Sequence, residues 1–423
     1  MARIGIIGAG PAGLMAAETL ACHGHAVIVY DAMPTVARKF LMAGKSGLNI
    51  THAEPHERLV TRYGPAAPRL RDALDGFTAA DLTAWCTELG IETFVGSSGR
   101  VFPTAMKASP LLRAWLGRLA EQGVAVKTRH RWTGFAGSAL LFETPAGPTE
   151  ERFDAVLLAL GGASWPRLGS DAVWVPWLRA KGVAIAPFQP ANCGFRVPWS
   201  PIFAERFAGA PVKSVRVTGD AAAGEFVVTA SGIEGSLVYA HSARLRERLA
   251  AEGTATLTLD LAPDRPLERL AAEFARQPRQ ASFANRLRKG ARLEGVKAGL
   301  VRECVPNAAG LDASALAHAI KHLPLPLTAT QPIDRAISSA GGIVWDGVDP
   351  RFMLRALPGI FVAGEMLDWE APTGGYLLTA SMATGRAAAL GLLDWLAEDG
   401  PGGTSRSEPR PSLAPDAGAG SPK

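Results

Sequence analysis

Gly8, Gly10 and Gly13, set in the run Ile4-Gly5-Ile6-Ile7-Gly8-Ala9-Gly10-Pro11-Ala12-Gly13, have the spacing of a chain that leaves a strand and enters a helix around a pyrophosphate. Gly8 allows the sharp exit from the strand, Gly10 lets a phosphate approach the backbone, and Gly13 lets the helix pack close to the sheet. The first N–H groups of that helix face the anion, with Pro11 and Ala12 in its first turn, where a missing N–H costs no intrahelical bond. Asp31 closes the apolar run Ala26-Val27-Ile28-Val29-Tyr30. A carboxylate there accepts a hydrogen bond from an adenosine ribose hydroxyl and disfavours a 2′-phosphate. A ligand-free glycine turn is the competing reading; the strand, helix, second strand and acid following one another favour a dinucleotide.

Near the other end, Phe361-Val362-Ala363-Gly364-Glu365 precedes Thr373-Gly374-Gly375-Tyr376-Leu377. Two such constellations at opposite ends of the chain point to FAD. The N–H groups of Gly375, Tyr376 and Leu377, unpaired at the start of a helix, would favour a nearby negative charge. Lys45, Ser46 and Asn49 sit in a loop suited to a donor toward N5 or O4, although Ser46-Gly47 also fits a plain turn. Tyr376 is a candidate proton donor and equally a packing residue. The apolar strand at 155–160 delivers Gly161-Gly162, either backbone close to a ligand or a strand-ending turn.

The elements that must hold these groups alternate in period. Residues 54–90 read as short helices, 109–122 as an amphipathic helix, and 124–128, 131–136 and 140–144 as a small meander. Proline-rich, strand-like pieces occupy about 187–260, and 267–323 is mainly helical. Sheet character returns at 341–345 and 360–363. The expected fold is therefore α/β: a Rossmann-like FAD-binding domain (1–188 and 328–398) split by an inserted β-barrel-like subdomain (189–262) and a helical subdomain (263–327). A Pro-, Gly- and Ser-rich tail, 399–423, is expected to be disordered.

Composition narrows the function. The chain carries a net charge of +5 and 48% hydrophobic residues. No apolar run reaches membrane-spanning length and no secretory leader is apparent, so a cytoplasmic protein that does not engage the membrane is expected. Four scattered cysteines suggest free thiols, with buried, inert Cys193 preferred over a Cys193 facing the flavin. His318 and His322 share a helix face without a third ligand, so no metal site is expected. Eight cations between Arg276 and Arg302 (Arg276, Arg279, Arg286, Arg288, Lys289, Arg292, Lys297 and Arg302) face one acid, Glu294. Such a cluster is ordinarily a solvated helical face; RNA binding is the alternative.

Several segments together resemble the BaiN-like family of bacterial flavoproteins, named for a bile-acid enone reductase. They are the opening motif, Arg38-Lys39 with Gly44 to Thr51, Gly99 to Pro103, Leu160 to Pro166, Ser339 to Gly342, Gly364 to Asp368, and Thr373 to Tyr376 with Gly385-Arg386. Differences at Ala43 to Asn49 and at Leu160 resemble a divergent subgroup. The resemblance implies a two-part FAD domain with an insertion, Glu365 near the ribityl chain or pyrophosphate, and Lys39 and Gly44 among the cofactor-binding residues. The expected activity is an FAD-dependent oxidoreductase. Hydride would pass from NADH or NADPH, or electrons from a protein donor, through flavin N5 to a small-molecule acceptor such as an activated C=C bond. The alternatives are an RNA-binding or RNA-modifying flavoprotein and a flavin-binding regulatory module without turnover.

Overall fold

The computed structural model describes residues 1–44, 47–221, 223–278 and 280–398. Lys45, Ser46, Arg279 and the 399–423 tail, all named above, lie outside the described residues. The opening run becomes a strand, Arg3–Ile7, at the centre of a five-stranded parallel sheet. Its order is Ile360–Val362, Ala155–Leu158, Arg3–Ile7, Ala26–Asp31, Ala125–Thr128. Ile4, Ile6 and Ile7 are buried, as a parallel strand covered on both faces requires. Register sets Ile7 beside Leu158 on one side and Tyr30 on the other. The strand ends that carry Gly8, Ala159 and Asp31 therefore lie together.

The helix Pro11–Cys22 makes the crossover, and the last helix, Tyr376–Glu398, packs along it. The two backbones meet closely: a Cβ on Gly385 would stand 2.2 Å from the Ala12 carbonyl oxygen. On its other side the first helix buries Glu18, whose carboxylate accepts hydrogen bonds from the indole N–H groups of Trp85 and Trp115 and from Arg118. These tie it to the helices Ala79–Glu88 and Ala108–Glu121.

The residues at 124–128 depart from the sequence expectation. They join the parallel sheet beside Ala26–Asp31, because the helix Ala108–Glu121 crosses over and delivers them in that direction. The meander is instead Arg131–Ala136, Ala139–Thr144 and Gly147–Glu151. It stacks Phe142 on Tyr30 at 4.5 Å.

Residues from Cys193 to Ala336 build a second apolar core of their own. Its seven-stranded antiparallel sheet forms a half-barrel and includes Leu323–Leu327, which pairs with Ala255–Asp260. The β-rich and helical stretches thus share one core. Helix Ser242–Glu252, rich in Ala, Leu, Arg and Glu, interrupts the strand-like stretch. Two antiparallel strands, Ile185–Ala191 and Ser338–Ile343, carry the chain out to this domain and back. Among the described residues, no helix is long and apolar enough to cross a membrane.

Candidate functional site

A cleft opens at the carboxyl ends of the parallel strands, where α/β sheets bind ligands. Gly8, Gly10, Pro11, Ala12, Asp31, Lys39, Gly161, Gly364 and Glu365 line it together. The three opening glycines differ in their surroundings. Gly8, at φ +107°, would place a Cβ 2.2 Å from the Ala159 carbonyl oxygen, and Gly13 would place one 1.9 Å from that of Gly8. Both serve chain packing. A Cβ on Gly10 would meet no atom within 4 Å, so the space before it is open to a ligand. Gly10 caps the first helix in extended conformation and offers no side chain to its N–H groups, leaving that end to an anion.

Asp31 accepts hydrogen bonds from the backbone N–H groups of Ala9 (3.0 Å) and Met33 (2.8 Å). Burial pushes its carboxyl up, against the pull of those donors and of Arg131 and Arg38. Glu365 receives Lys39 Nζ at 2.6 Å, and Lys39 also reaches Ser164 Oγ at 2.8 Å. The other carboxylate oxygen of Glu365, Oε1, is buried with no hydrogen-bond partner. Such an atom calls for a donor that the protein does not supply. An FAD hydroxyl fits that need, and the open space at Gly10 fits a pyrophosphate; the residues present fit the dinucleotide.

The remaining candidates take other places. Gly162 sits against Ser339, whose Oγ accepts from the Ala163 N–H at 3.1 Å, and Gly44 packs on Ala108. The Asn49 amide donates to the carbonyls of Thr51 (2.8 Å) and Val101 (3.0 Å), so its donors are engaged away from the cleft. Thr373, Gly374, Gly375 and Leu377 stand at the head of the last helix, outside the cleft lining. Gly375, at φ +93°, would drive a Cβ to 2.4 Å from Thr51 Cα, and Thr51 and Thr379 join hydroxyls at 2.8 Å. Tyr376 is buried and does not line the cleft. Its hydroxyl donates to Glu54 Oε1 at 2.6 Å, its ring stacks on His52, and burial with that hydrogen bond raises its pKa. Glu54 is also gripped by Arg62 at 2.9 and 2.6 Å. Burial works to raise its pKa, but these donors prevail and hold it below the usual carboxylate range.

Some cleft residues had no local signal. Trp132 and Trp177, edge to face at 5.0 Å, and Ser170, whose buried Oγ has no partner, line the cleft from the meander and from the loop and helix after Gly161. Only the fold brings Ser170 to Gly161. Cys193 is buried, and burial pushes its thiol up to about 12. The rings of His318 and His322 lie 4.5 Å apart, tilted by 31°, and among the described residues no group of three metal-ligating side chains forms. In the basic segment, Arg286 donates to the carbonyls of Ala309 and Leu311, Lys297 to those of Ser214 and Leu261, and Arg302 lies over Phe283. Arg288, Lys289 and Arg292 are exposed.

A split Rossmann-type domain with an anion-ready helix end, a ribose-type acid and an antiparallel insertion defines the class of FAD-dependent oxidoreductases. The chain belongs to the family described as HI0933-like protein Rossmann domain, whose sequence model matches residues 2–391. It is similar to the 3-dehydro-bile acid delta(4,6)-reductase of Clostridium scindens, at 26% identity over 92% of this chain and 98% of that one. It is also similar to the ribosomal RNA dihydrouridine synthase of Haemophilus influenzae, at 23% identity over 92% and 97%. Among solved structures, the 3-ketosteroid-delta4-(5alpha)-dehydrogenase of Rhodococcus jostii RHA1 matches with a TM-score of 0.50 and 15% identity, over 92% of this chain and 96% of that one, a likeness of fold.

Proposed function

We propose that the protein is a reductase that uses NADH or NADPH to saturate a C=C bond conjugated to a carbonyl in a small organic acceptor. The observation that carries this reading is the cleft in which an open Gly10 faces the start of a helix and a carboxylate oxygen of Glu365 lies buried without a partner. Bound FAD supplies two-electron chemistry, linking oxidation of the nicotinamide to delivery of a hydride equivalent to the acceptor. The first helix holds the pyrophosphate, Asp31 the adenosine ribose, and Glu365, steadied by Lys39, the ribityl hydroxyls. The acceptor takes the hydride at one carbon and a proton at the carbon next to the carbonyl. Tyr376 has its hydroxyl proton on Glu54, so this reading takes that proton from water or another donor. The sequence has no second complete glycine motif, which favours a nicotinamide that binds transiently. Both relatives bear names that describe adding hydrogen to a C=C bond, which supports the reaction class.

The test is the absorbance of the FAD-loaded protein under anaerobic conditions, first with NADH or NADPH and then with a cyclic enone. Bleaching by a nicotinamide and recovery on adding enone are expected. A flavin spectrum that neither nicotinamide bleaches would overturn the choice of donor and return weight to a protein donor or a role without turnover. A second reading, in which the C=C bond belongs to a uridine in RNA, is favoured by the dihydrouridine synthase relative and by exposed Arg288, Lys289 and Arg292. It requires salt-sensitive RNA binding that weakens when those three are neutralised; absence of binding at low salt would remove it.

A further inference from the structure

The two apolar cores share no residue, and the chain passes between them on the paired strands Ile185–Ala191 and Ser338–Ile343. That pairing is irregular. Its register shifts between Ala186 and Gln189, and there Gly341, at φ +86°, would place a Cβ 2.3 Å from the Pro187 carbonyl oxygen. Two paired strands by themselves leave two domains free to turn against each other. What fixes them here is polar. Arg246, on helix Ser242–Glu252 of the insertion, has a side chain only 8% exposed and forks onto Glu370 at 2.6 and 3.0 Å. Glu370 belongs to the strip that follows Glu365, a residue of the cleft wall. Arg246 Nη1 also donates to the Pro190 carbonyl at 3.1 Å, on the outgoing strand. Beside it Asn192, buried and at φ +49°, donates its N–H to Ser242 Oγ and its amide to Ser338 Oγ and the Ala371 carbonyl. One helix of the insertion thus holds both crossover strands and the Glu370-Ala371 strip.

We propose that Arg246 and Glu370 form a latch between the two domains: closed, it fixes the inserted domain to the strip behind Glu365, and open, it leaves that domain to turn on the crossover strands. A fork between planar guanidinium and carboxylate sets direction as well as distance, so it holds an orientation that a single contact would not. The hold is incomplete. Arg246 Nε is buried without a hydrogen-bond partner, and an unmet donor offsets part of what the fork contributes. A contact so balanced can open while both cores stay packed. Removing one partner leaves the other charge buried without its complement, so water must reach it and the domains part at this point.

The experiment uses the full-length chain, as wild type, as Arg246→Leu and as Glu370→Gln, which keeps the side-chain shape, gives up its charge and decides the matter should Arg246→Leu fail to fold. Calorimetric melting and backbone hydrogen exchange are read on the apoprotein, so the result does not depend on whether FAD binds. Wild type should melt in one cooperative transition, and the variants in two, one for each core. Exchange over 185–191 and 338–343 should quicken by about tenfold or more, while the strands Arg3–Ile7 and Ala255–Asp260, one in each domain, keep their wild-type rates. A folded variant that melts in one transition with unchanged exchange at the crossover strands would overturn the latch and leave Arg246 a packing residue. Two transitions in the wild type would overturn it as well, because a closed latch must couple the domains.

Discussion

The two ends of the proposed cofactor site are built in opposite ways. The dinucleotide end comes from one continuous stretch of chain: strand, Gly8-Ala9-Gly10, helix and Asp31 all lie within the first thirty-one residues. The redox end is assembled from distant pieces. Lys39 meets Glu365, Thr51 meets Thr379, and Asn192 meets Ala371, each across the body of the molecule. A local motif tolerates little change but needs only its own segment; an assembled site depends on packing elsewhere and is adjustable through it.

The largest effect should come from Gly10→Val. Its side chain enters open space, so the apoprotein should keep its melting temperature while FAD affinity falls by about 100-fold or more. Gly13→Val is the counterpart, colliding with the Gly8 carbonyl, and should lose the fold itself. Thermal denaturation and flavin content of both variants check the pair. If Gly10→Val retains normal FAD, the pyrophosphate lies elsewhere.

Next is Glu18, which anchors the helix bearing the motif. Glu18→Leu strands two buried indole N–H groups and the Arg118 guanidinium, an expected loss of about 3–5 kcal/mol. Glu18→Gln keeps an acceptor and should cost about 1–3 kcal/mol. Denaturant unfolding ranks the two, and equal losses would mean that the network contributes only packing. At the redox end the expected change is smaller. Glu365→Gln retains shape but weakens acceptance by the buried Oε1, for about a tenfold loss of FAD affinity, about 1.4 kcal/mol, by titration of apoprotein.

This contrast also explains what could be read in advance. The close packing at Gly8 and Gly13, the placement of Asp31 at a strand end and the return of the sheet near 360–363 follow from adjacent residues and strand periodicity. The placement of Ala125–Thr128 does not, because four residues of weak alternation say nothing about which neighbour they pair with. Nor does the shared core of the insertion: Leu323–Leu327 carries alternating leucines and prolines, but its partner Ala255–Asp260 lies more than sixty residues earlier. Asn49 reads as a loop donor until Val101 is seen to take its amide. Arg246 was invisible in sequence, since nothing near it names Glu370.

Tyr376 offers the smallest and most discriminating effect. A proton donor in the reaction would lose about 10²–10⁴-fold in turnover on Tyr376→Phe. The hydroxyl, bound to Glu54 away from the cleft lining, predicts a change of less than about threefold, under about 0.7 kcal/mol in the barrier, in steady-state enone reduction. The missing hydroxyl should appear instead in stability against acid. Glu54 is held below its ordinary pKa, so its contribution is complete above the unfolded value near about 4.3 and disappears as pH falls through the folded value. Removing one of its donors moves the folded value back toward the unfolded one. Tyr376→Phe should therefore melt at a temperature that declines less steeply than wild type between about pH 5 and pH 3. A large loss of turnover with an unchanged acid limb would reverse the assignment and put the Tyr376 proton in the chemistry. Near-normal turnover with a flattened acid limb would fix Tyr376 as a structural support at the head of the last helix.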